Sequence, residues 1–251
     1  MNIKSLFFSA LILLAACSPK ENISVLSSLP DTDILLVEKQ FVLSTSSGDV
    51  ANVIRISPTD TCQTVLGVGA ALTHASAWVF QNNLNQQQRD SVFRELFSDQ
   101  GVGINYTRLC VGASDFSFNF FSYCDTEDFT LNKFSIAEDY KSVIPMLKEI
   151  LAVNPNLQIM ATPWSPPGWM KTNGSMVGGK LRTDCYDVFA DYLIKYIEAY
   201  KKEGITIHTM TVQNEPEFGT AAYPCMDMTA EEQKVFIRDH FGPKLQASGL
   251  Q

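Results

Sequence analysis

The amino-acid sequence predicts an α/β fold in which helices cover a parallel β-sheet. Short apolar runs alternate with amphipathic segments four times after about residue 65, which is typical of consecutive strand–helix units. Capping motifs or glycines stand at several of the expected helix ends. Polar and aromatic clusters follow the last three apolar runs, where parallel-sheet proteins form their binding sites. Only about four units fit this chain, half of the eight that a closed β/α barrel needs.

The first seventeen residues predict a bacterial lipoprotein signal peptide. Lys4 precedes an apolar run over residues 5–16, and the sequence LAAC (14–17) matches a lipoprotein cleavage box. The run is too short to span a bilayer comfortably, which favours a cleaved signal. We therefore expect general secretory export, a lipid on Cys17 and, given Ser18 at the next position, an outer-membrane lipoprotein. A plain secretory signal with a chance cysteine is the alternative.

Composition narrows the classes of partner. The formal net charge of −8 argues against a nucleic-acid partner. The three histidines are scattered and no CxxC motif occurs, so we expect no zinc or other metal site. With Cys17 lipidated, five cysteines remain, and an odd number cannot all pair within the chain. Free thiols and one or two disulfides both remain open.

Two segments precede the first strand–helix unit. Residues 18–33 are polar and rich in turn formers, so they predict a tether from the lipid to the domain. Residues 34–64 contain loosely alternating β-like runs separated by turn sequences at 46–49 and 57–60. This pattern predicts the N-terminal strands of a small side sheet.

The four strand–helix units are assigned in order along residues 65–251. Strands are predicted at 65–72, 104–111, 157–161 and 205–213. The first helical segment covers 74–98 in two pieces, the second capped by Asn85, and Trp78 is expected in the core. The later helices start at a capping box at 135–138, at Asp184 and at a capping box at 229–232. Gly204 is expected to end the third helix, and residues 242–243 to break the fourth.

Three of these strands end in residues suited to sugar chemistry. Arg108 and Asp115 follow the second strand, Trp164 the third, and Asn214 and Glu215 the fourth. The carboxyl ends of parallel strands share one edge, so these side chains should surround one mouth. Aromatic faces stack on pyranose rings while planar polar groups bond hydroxyls. A carboxylic acid there can protonate a leaving oxygen if its surroundings raise its pKa.

The order and spacing of several motifs resemble glycoside hydrolase family 30, the glucosylceramidase-like β-glycosidases. The resemblance runs from about Gly67 to Gln251 and rests on GVGAALT (67–73), Arg108 with SDFS (114–117), DF (128–129), FSI (134–136), WSPPGWMKTN (164–173), TVQNEPE (211–217) and FGP (241–243). The sequence departs from the family pattern at His74, where an acidic residue is common, at Ala70, and at Leu109 and Cys110.

The resemblance implies a (β/α)8 TIM-barrel type of fold, of which residues 65–251 would form the N-terminal half. It also implies a retaining mechanism with two carboxylates roughly 5 Å apart. Glu215 is the implied general acid/base, and the implied substrate-binding residues are Arg108, Asp115, Trp164, Asn214 and Tyr223. The nucleophile belongs on the seventh strand of the family, and no residue of this chain matches it.

These implications predict hydrolysis of a β-linked glucoside or glycan without any cofactor. A surface lipoprotein suits glycan capture better than ceramide turnover, so a β-1,6-glucanase or β-glucosidase is the preferred substrate class. In this interpretation a C-terminal half from outside the chain completes the site. The alternative is a truncated lipoprotein that is catalytically inactive or only binds sugar, because a half barrel exposes two sheet edges and an apolar interior.

Overall fold

The computed structural model describes residues 22–30, 36–42, 54 and 56–248. The chain divides into two compact units, residues 1–63 and 64–251. The predicted signal peptide and Cys17 lie outside the described residues. No helix among the described residues is both long enough and apolar enough to cross a membrane.

The N-terminal unit contains one antiparallel strand pair. Strand β1 (Asn22–Ser27) pairs with β2 (Val37–Val42), with Asn22 opposite Val42. β2 falls within the predicted side-sheet segment, whereas β1 lies where the sequence predicted a tether. The tether prediction is therefore wrong for residues 22–27, in which Ile23 and Val25 alternate with serines as in a strand. The remaining predicted β-like runs of this unit lie mostly outside the described residues.

The larger unit is built on a four-stranded parallel sheet. The strands are β3 (Gly69–Leu72), β4 (Tyr106–Val111), β5 (Gln158–Pro163) and β6 (Thr209–Met210), in the order β3-β4-β5-β6. Neighbours in the sheet are thus neighbours in the chain, as helical crossovers between consecutive strands of a β/α barrel require. The predicted α/β class with four parallel strands is confirmed.

β6 is shorter than the predicted strand at 205–213, but its flanks still follow β5. The backbone N–H groups of His208, Thr211 and Asn214 donate to the carbonyls of Ile159, Ala161 and Pro163. The chain therefore runs beside β5 from His208 to Asn214, with a bend at Val212. This alignment carries Asn214 and Glu215 to the carboxyl end of the sheet.

Helices α1 (His74–Asn83) and α2 (Gln86–Phe97) follow β3, while α3 (Val143–Val153) and α4 (Tyr186–Lys202) follow β4 and β5. The predicted cap is confirmed at Asn85, whose side chain accepts from the Gln88 N–H in a capping box. Gly204, with φ of +77°, follows the end of α4 as predicted.

The capping box predicted at 135–138 is wrong, because α3 begins later, at Val143. Glu138 does not reach back to Ser135; its carboxylate instead pairs with Lys141. Pro145 lies in the first turn of the helix, where its missing N–H costs no hydrogen bond. The tertiary fold thus starts the helix just before the proline.

The C-terminal helix is continuous where the sequence predicted a break. α5 (Ala230–Val235) starts at the predicted Thr229 capping box, passes through a π-helical turn (Phe236–Phe241) and continues as α6 (Gly242–Ala247). The Gly242 N–H donates to the Ile237 carbonyl, five residues earlier. A Cβ at Gly242 would lie 2.6 Å from that oxygen, so the turn needs glycine. Pro243 lies in the first turn of α6, where it is tolerated.

The core packs the sheet against the helices. Its buried members include Leu109, Val111, Ile159 and Ala161 from the strands, Leu147 and Ile150 from α3, and Tyr192, Leu193, Tyr196 and Tyr200 from α4. Trp78 is 41% exposed, so its predicted place in the core is wrong. The neighbouring Ala77 is the buried residue of α1, which turns Trp78 towards Phe118 at the surface.

Both outer strands of the described sheet border apolar grooves. A groove of about 510 Å3 beside β3 is lined by residues that include Ala71, Val79 and Phe80. A groove of about 490 Å3 beside β6 is lined by residues that include Met210 and Phe241. In a closed barrel, further strand–helix units occupy these positions.

Candidate active site

Arg108 connects the ends of three strands. It lies on β4, and its Nε donates to the Thr162 Oγ1 on β5 at 3.1 Å. Its Nη2 donates to the Asn214 Oδ1 at 2.6 Å. Its guanidinium carbon lies 4.5 Å from the ring centroid of Trp164, a cation–π contact. Three of the predicted site residues, Arg108, Asn214 and Trp164, are therefore brought together.

The loop after β5 holds Trp164 in a rigid position. The side chain is buried at 6% exposure, and its backbone carbonyl accepts from the Gln213 Nε2 at 2.8 Å. Gln213 also donates to the carbonyls of Asn214 and Met226. Sequence reasoning missed this buried glutamine. Its position directly before Asn214, at the end of a predicted buried strand, was the available signal.

Glu215 is exposed and lies in a tight turn. Its φ is +44°, a left-handed conformation that is uncommon for residues other than glycine and is concentrated at functional sites. The Asn214 N–H donates to the Pro163 carbonyl at 2.9 Å, which fixes the residue before the turn. The Asn214 Nδ2 donates to the Glu215 Oε2 at 3.4 Å. Glu215 is thus linked through Asn214 to Arg108.

Asp115 and Tyr223 complete the predicted set. Partial burial raises the pKa of the Tyr223 phenol, and the carboxylates of Glu215 and Asp115 raise it further. The phenol therefore lies within electrostatic reach of both carboxylates and stays protonated at neutral pH, available as a hydrogen-bond donor. Asp115 is exposed in a turn in which the Ser114 Oγ accepts from the Phe116 N–H.

Lys171 is a buried cation that sequence reasoning also missed. It is 2% exposed, and its Nζ donates to the Ser165 Oγ at 3.1 Å and to the carbonyls of Met176 and Cys225. Burial lowers its pKa to about 8 from an ordinary value of 10.5. The ammonium thus ties the loop after β5, which carries Trp164, to the loop after β6, which carries Tyr223.

The cysteines of the described part of the chain are free thiols. Cys62 is exposed, whereas Cys110, Cys124, Cys185 and Cys225 are buried. Burial raises the pKa of Cys110 and of Cys185 to about 11, so these two thiols are protonated at neutral pH. Of the two alternatives that the sequence left open, the structure therefore has free thiols. No cluster of acidic, histidine or cysteine side chains among the described residues could hold a metal ion.

Residues 65–251 match the protein family described as the glycosyl hydrolase family 30 TIM-barrel domain. The chain is 36% identical over 215 residues to putative glucosylceramidase 4 of Caenorhabditis elegans, covering 81% of this chain and 41% of that protein. It is 35% identical over 202 residues to an endo-1,6-beta-D-glucanase of Neurospora crassa, covering 77% and 42%. A solved endo-beta1,6-glucanase aligns with a TM-score of 0.73 at 36% identity, covering 77% of this chain and 44% of that structure.

The chain therefore spans about two fifths of the length of these curated relatives. The match covers all four parallel strands and the predicted catalytic and substrate-binding residues, from Arg108 to Tyr223, but not Cys17. The resemblance noted from the motifs is confirmed: the chain belongs to glycosyl hydrolase family 30.

Proposed function

We propose that this chain supplies the acid/base side of a retaining β-glycosidase, with Glu215 as the general acid/base. One observation carries the proposal: a single hydrogen-bonded chain joins Arg108, Asn214 and Glu215 across the carboxyl end of the sheet. Glu215 keeps most of its hydrogen-bonding capacity for a substrate, since its one described side-chain partner is 3.4 Å away.

In the proposed first step, the protonated Glu215 gives its proton to the glycosidic oxygen. A second carboxylate, supplied from outside residues 1–251, attacks the anomeric carbon, and the bond to the leaving oxygen breaks. In the second step, the Glu215 carboxylate takes a proton from a water molecule. The water oxygen attacks the anomeric carbon and releases the second carboxylate.

The surrounding residues have distinct proposed roles. Asn214 bonds the sugar 2-hydroxyl, while Asp115 and Trp164 hold the hydroxyls that do not react. Arg108 keeps the incoming nucleophile ionised, because its Nη1 makes no hydrogen bond to any residue that the structure describes and remains available. Tyr223 donates from beside the two carboxylates.

The proposed substrate is a β-linked glucan or glucoside, with β-1,6-glucan preferred. Two of the three similar proteins reported above are named as endo-1,6-glucanases. An open mouth with exposed Asp115 and Glu215 suits an extended glycan. We also propose that the protein is anchored to the outer membrane through Cys17. Incorporation of labelled palmitate by the wild type but not by Cys17→Ala supports the anchor, and equal labelling contradicts it.

Hydrolysis is tested in a chimera in which residues 65–248 replace the matching part of the Neurospora crassa endo-1,6-glucanase. The remainder of that protein then supplies the missing strands. The chimera should release reducing sugar from β-1,6-glucan, and Glu215→Gln in the same chimera should not. Equal release by both proteins would remove Glu215 from the mechanism. The 251-residue chain assayed alone measures whether it turns over glycan without further strands.

A second candidate function is sugar binding without turnover. It is favoured by the open sheet, because the structure describes four parallel strands whereas a closed barrel needs eight. In that case the 251-residue chain would bind gentio-oligosaccharides, and the chimera would be inactive although folded.

A further inference from the structure

A cavity of about 160 Å3 lies beside the start of α1, and the proposed mechanism does not use it. Pockets for drug-sized ligands are larger, roughly 300–1,000 Å3, so this cavity suits one small ring. Aromatic side chains of Trp78, Phe118 and Phe121 form part of its lining. We propose that this cavity is an accessory binding site for one hexopyranose unit of a β-glycan. The inference rests on the substrate class of the proposed function.

Two exposed aromatic rings form a corner of this cavity. Trp78 and Phe118 meet edge to face, with ring centroids 5.3 Å apart and an angle of 70° between the rings. Trp78 is 41% exposed and Phe118 is 65% exposed. Such faces stack on the C–H side of a pyranose, and burying them on binding removes apolar area from water.

Polar groups form another part of the lining. Asn119, Glu138, Lys141 and Ser142 also line the cavity. Glu138 and Lys141 form an ion pair at 2.7 Å, so a donor and an acceptor lie side by side in the lining. An amide, a hydroxyl and an ion pair provide both kinds of partner that sugar hydroxyls need.

The wall at His74 is held rigid. The His74 Nε2 lies 2.9 Å from the Asp139 Oδ1, and its Nδ1 lies 3.3 Å from the Ser117 Oγ. Its ring also meets Phe121 edge to face at 5.0 Å. Because both ring nitrogens are engaged, the wall is formed before any ligand arrives, and little side-chain entropy is lost on binding.

The order Ser117, His74, Asp139 resembles a hydrolase triad, but the geometry does not suit nucleophilic attack. The Ser117 Oγ already accepts from the Ser114 N–H at 3.0 Å. Ser117 is also not among the residues that line the cavity. We therefore assign these contacts to holding the wall and not to acyl transfer.

The cavity lies close to the proposed catalytic mouth along the same loop. Phe118 is three residues after Asp115, and three residues span at most about 11 Å. One glycan can therefore place one unit beside Asp115 and another unit against Trp78. The accessory site would then raise the affinity for oligosaccharides more than the affinity for glucose.

The test measures gentiotetraose and glucose binding by calorimetry on the 251-residue chain. Trp78→Ala should weaken gentiotetraose binding at least tenfold, Asn119→Ala should weaken it less, and Trp78→Phe should retain most of it. Val79→Ala is the matched control, because Val79 is the next residue of α1, is similarly exposed at 44% and does not line the cavity. Thermal melts by circular dichroism check that each variant is folded.

Two results would overturn the inference: equal gentiotetraose affinity in Trp78→Ala and Val79→Ala, or no gentiotetraose binding by the wild type. Failure of the accessory site can be distinguished from failure of the proposed function. If the chimera does not hydrolyse glucan while Trp78→Ala still weakens binding, the catalytic proposal fails alone. If hydrolysis depends on Glu215 while Trp78→Ala binds normally, the accessory site fails alone.

Discussion

Asp139 and Glu215 are two carboxylates near aromatic side chains, yet the fold surrounds them in opposite ways. Asp139 is fully buried, accepts from the hydroxyls of Tyr123 and Tyr200 at 2.7 Å each, and pairs with His74. Glu215 is exposed and accepts one hydrogen bond of 3.4 Å from Asn214. A carboxylate whose acceptor sites are filled stabilises the fold, whereas one with vacant sites is available to a substrate.

The tyrosines near the two carboxylates show the same contrast in whether their hydroxyls are available to a ligand. Burial raises the pKa of Tyr123 and of Tyr200 well above the ordinary value, and the nearby Asp139 carboxylate raises it further. Both hydroxyls therefore remain donors across the physiological pH range. Tyr223 is only half-buried, near Glu215 and Asp115, and can turn its donor towards a ligand.

The largest effect is expected at Glu215, the exposed carboxylate. Glu215→Gln in the chimera should lower turnover of β-1,6-glucan by about 10²–10⁴-fold, because the amide cannot transfer a proton. The free energy of unfolding of the 251-residue chain should change by less than about 0.5 kcal/mol, since the residue is on the surface. Reducing-sugar release and urea denaturation measure the two quantities. A large loss of stability together with normal turnover would show that Glu215 stabilises the fold and does not act on the substrate.

For Asp139→Ala the large effect should instead be on stability. The free energy of unfolding should fall by about 3–5 kcal/mol. The substitution leaves the hydroxyls of Tyr123 and Tyr200 buried without their acceptor. Urea denaturation followed by circular dichroism measures the loss. Glu138→Ala is the matched control, because the adjacent Glu138 pairs only at the surface with Lys141 and should cost under about 1 kcal/mol. Similar losses in both variants would contradict a structural role specific to Asp139.

Lys171 extends the comparison to a buried cation, and its effect depends on pH. Its pKa is about 8 in the folded chain and ordinarily 10.5, so the unfolded chain binds more protons between these values. The stability of the wild type relative to Lys171→Met should therefore rise from pH 8 to 10.5, by on the order of 2 kcal/mol. Below pH 8 the lysine is charged in both states, so the cost of burying its charge is fully present and the stability difference no longer changes with pH.

Denaturation at several pH values measures the Lys171 effect, with Lys180→Met as its control. The hydrogen bond to Glu232 raises the pKa of the exposed Lys180 above its ordinary value of 10.5, so the Lys180 contribution should stay nearly constant below pH 10.5 and fall above it. If the stability differences for Lys171→Met and Lys180→Met changed with pH in the same direction, burial would not explain the behaviour of Lys171.

Ser117→Ala has the smallest expected effect. It tests how far the network of hydrogen bonds around Asp139 extends. The change removes the acceptor of the Ser114 N–H and the contact with His74. It should lower the free energy of unfolding by about 1 kcal/mol. In a double-mutant cycle with Asp139→Ala, a coupling above about 0.5 kcal/mol would show that His74 transmits the interaction. Strict additivity would confine the network to Asp139 and the tyrosines.

Much of the fold could be predicted because its signals are local. The caps at Asn85 and Thr229 and the helix end at Gly204 each depend on a few consecutive residues. The alternation of apolar strands and amphipathic helices predicted the parallel sheet for the same reason. The late start of α3, the continuous helix across Gly242 and the exposure of Trp78 depend on packing partners, which local periodicity does not contain.

The candidate site divides in the same way. The sequence by itself determined the family and the parallel sheet, because motif order and strand–helix alternation are contained in short segments. From the same strand ends it predicted Arg108, Trp164, Asn214 and Glu215 as site residues. Only the tertiary structure decided that Lys171 joins two loops and that Asp139 gathers His74, Tyr123 and Tyr200. The Asp139 contacts join residues up to 65 positions apart. The physical reason is that a buried polar group takes its partners from whichever segments packing brings within hydrogen-bond distance.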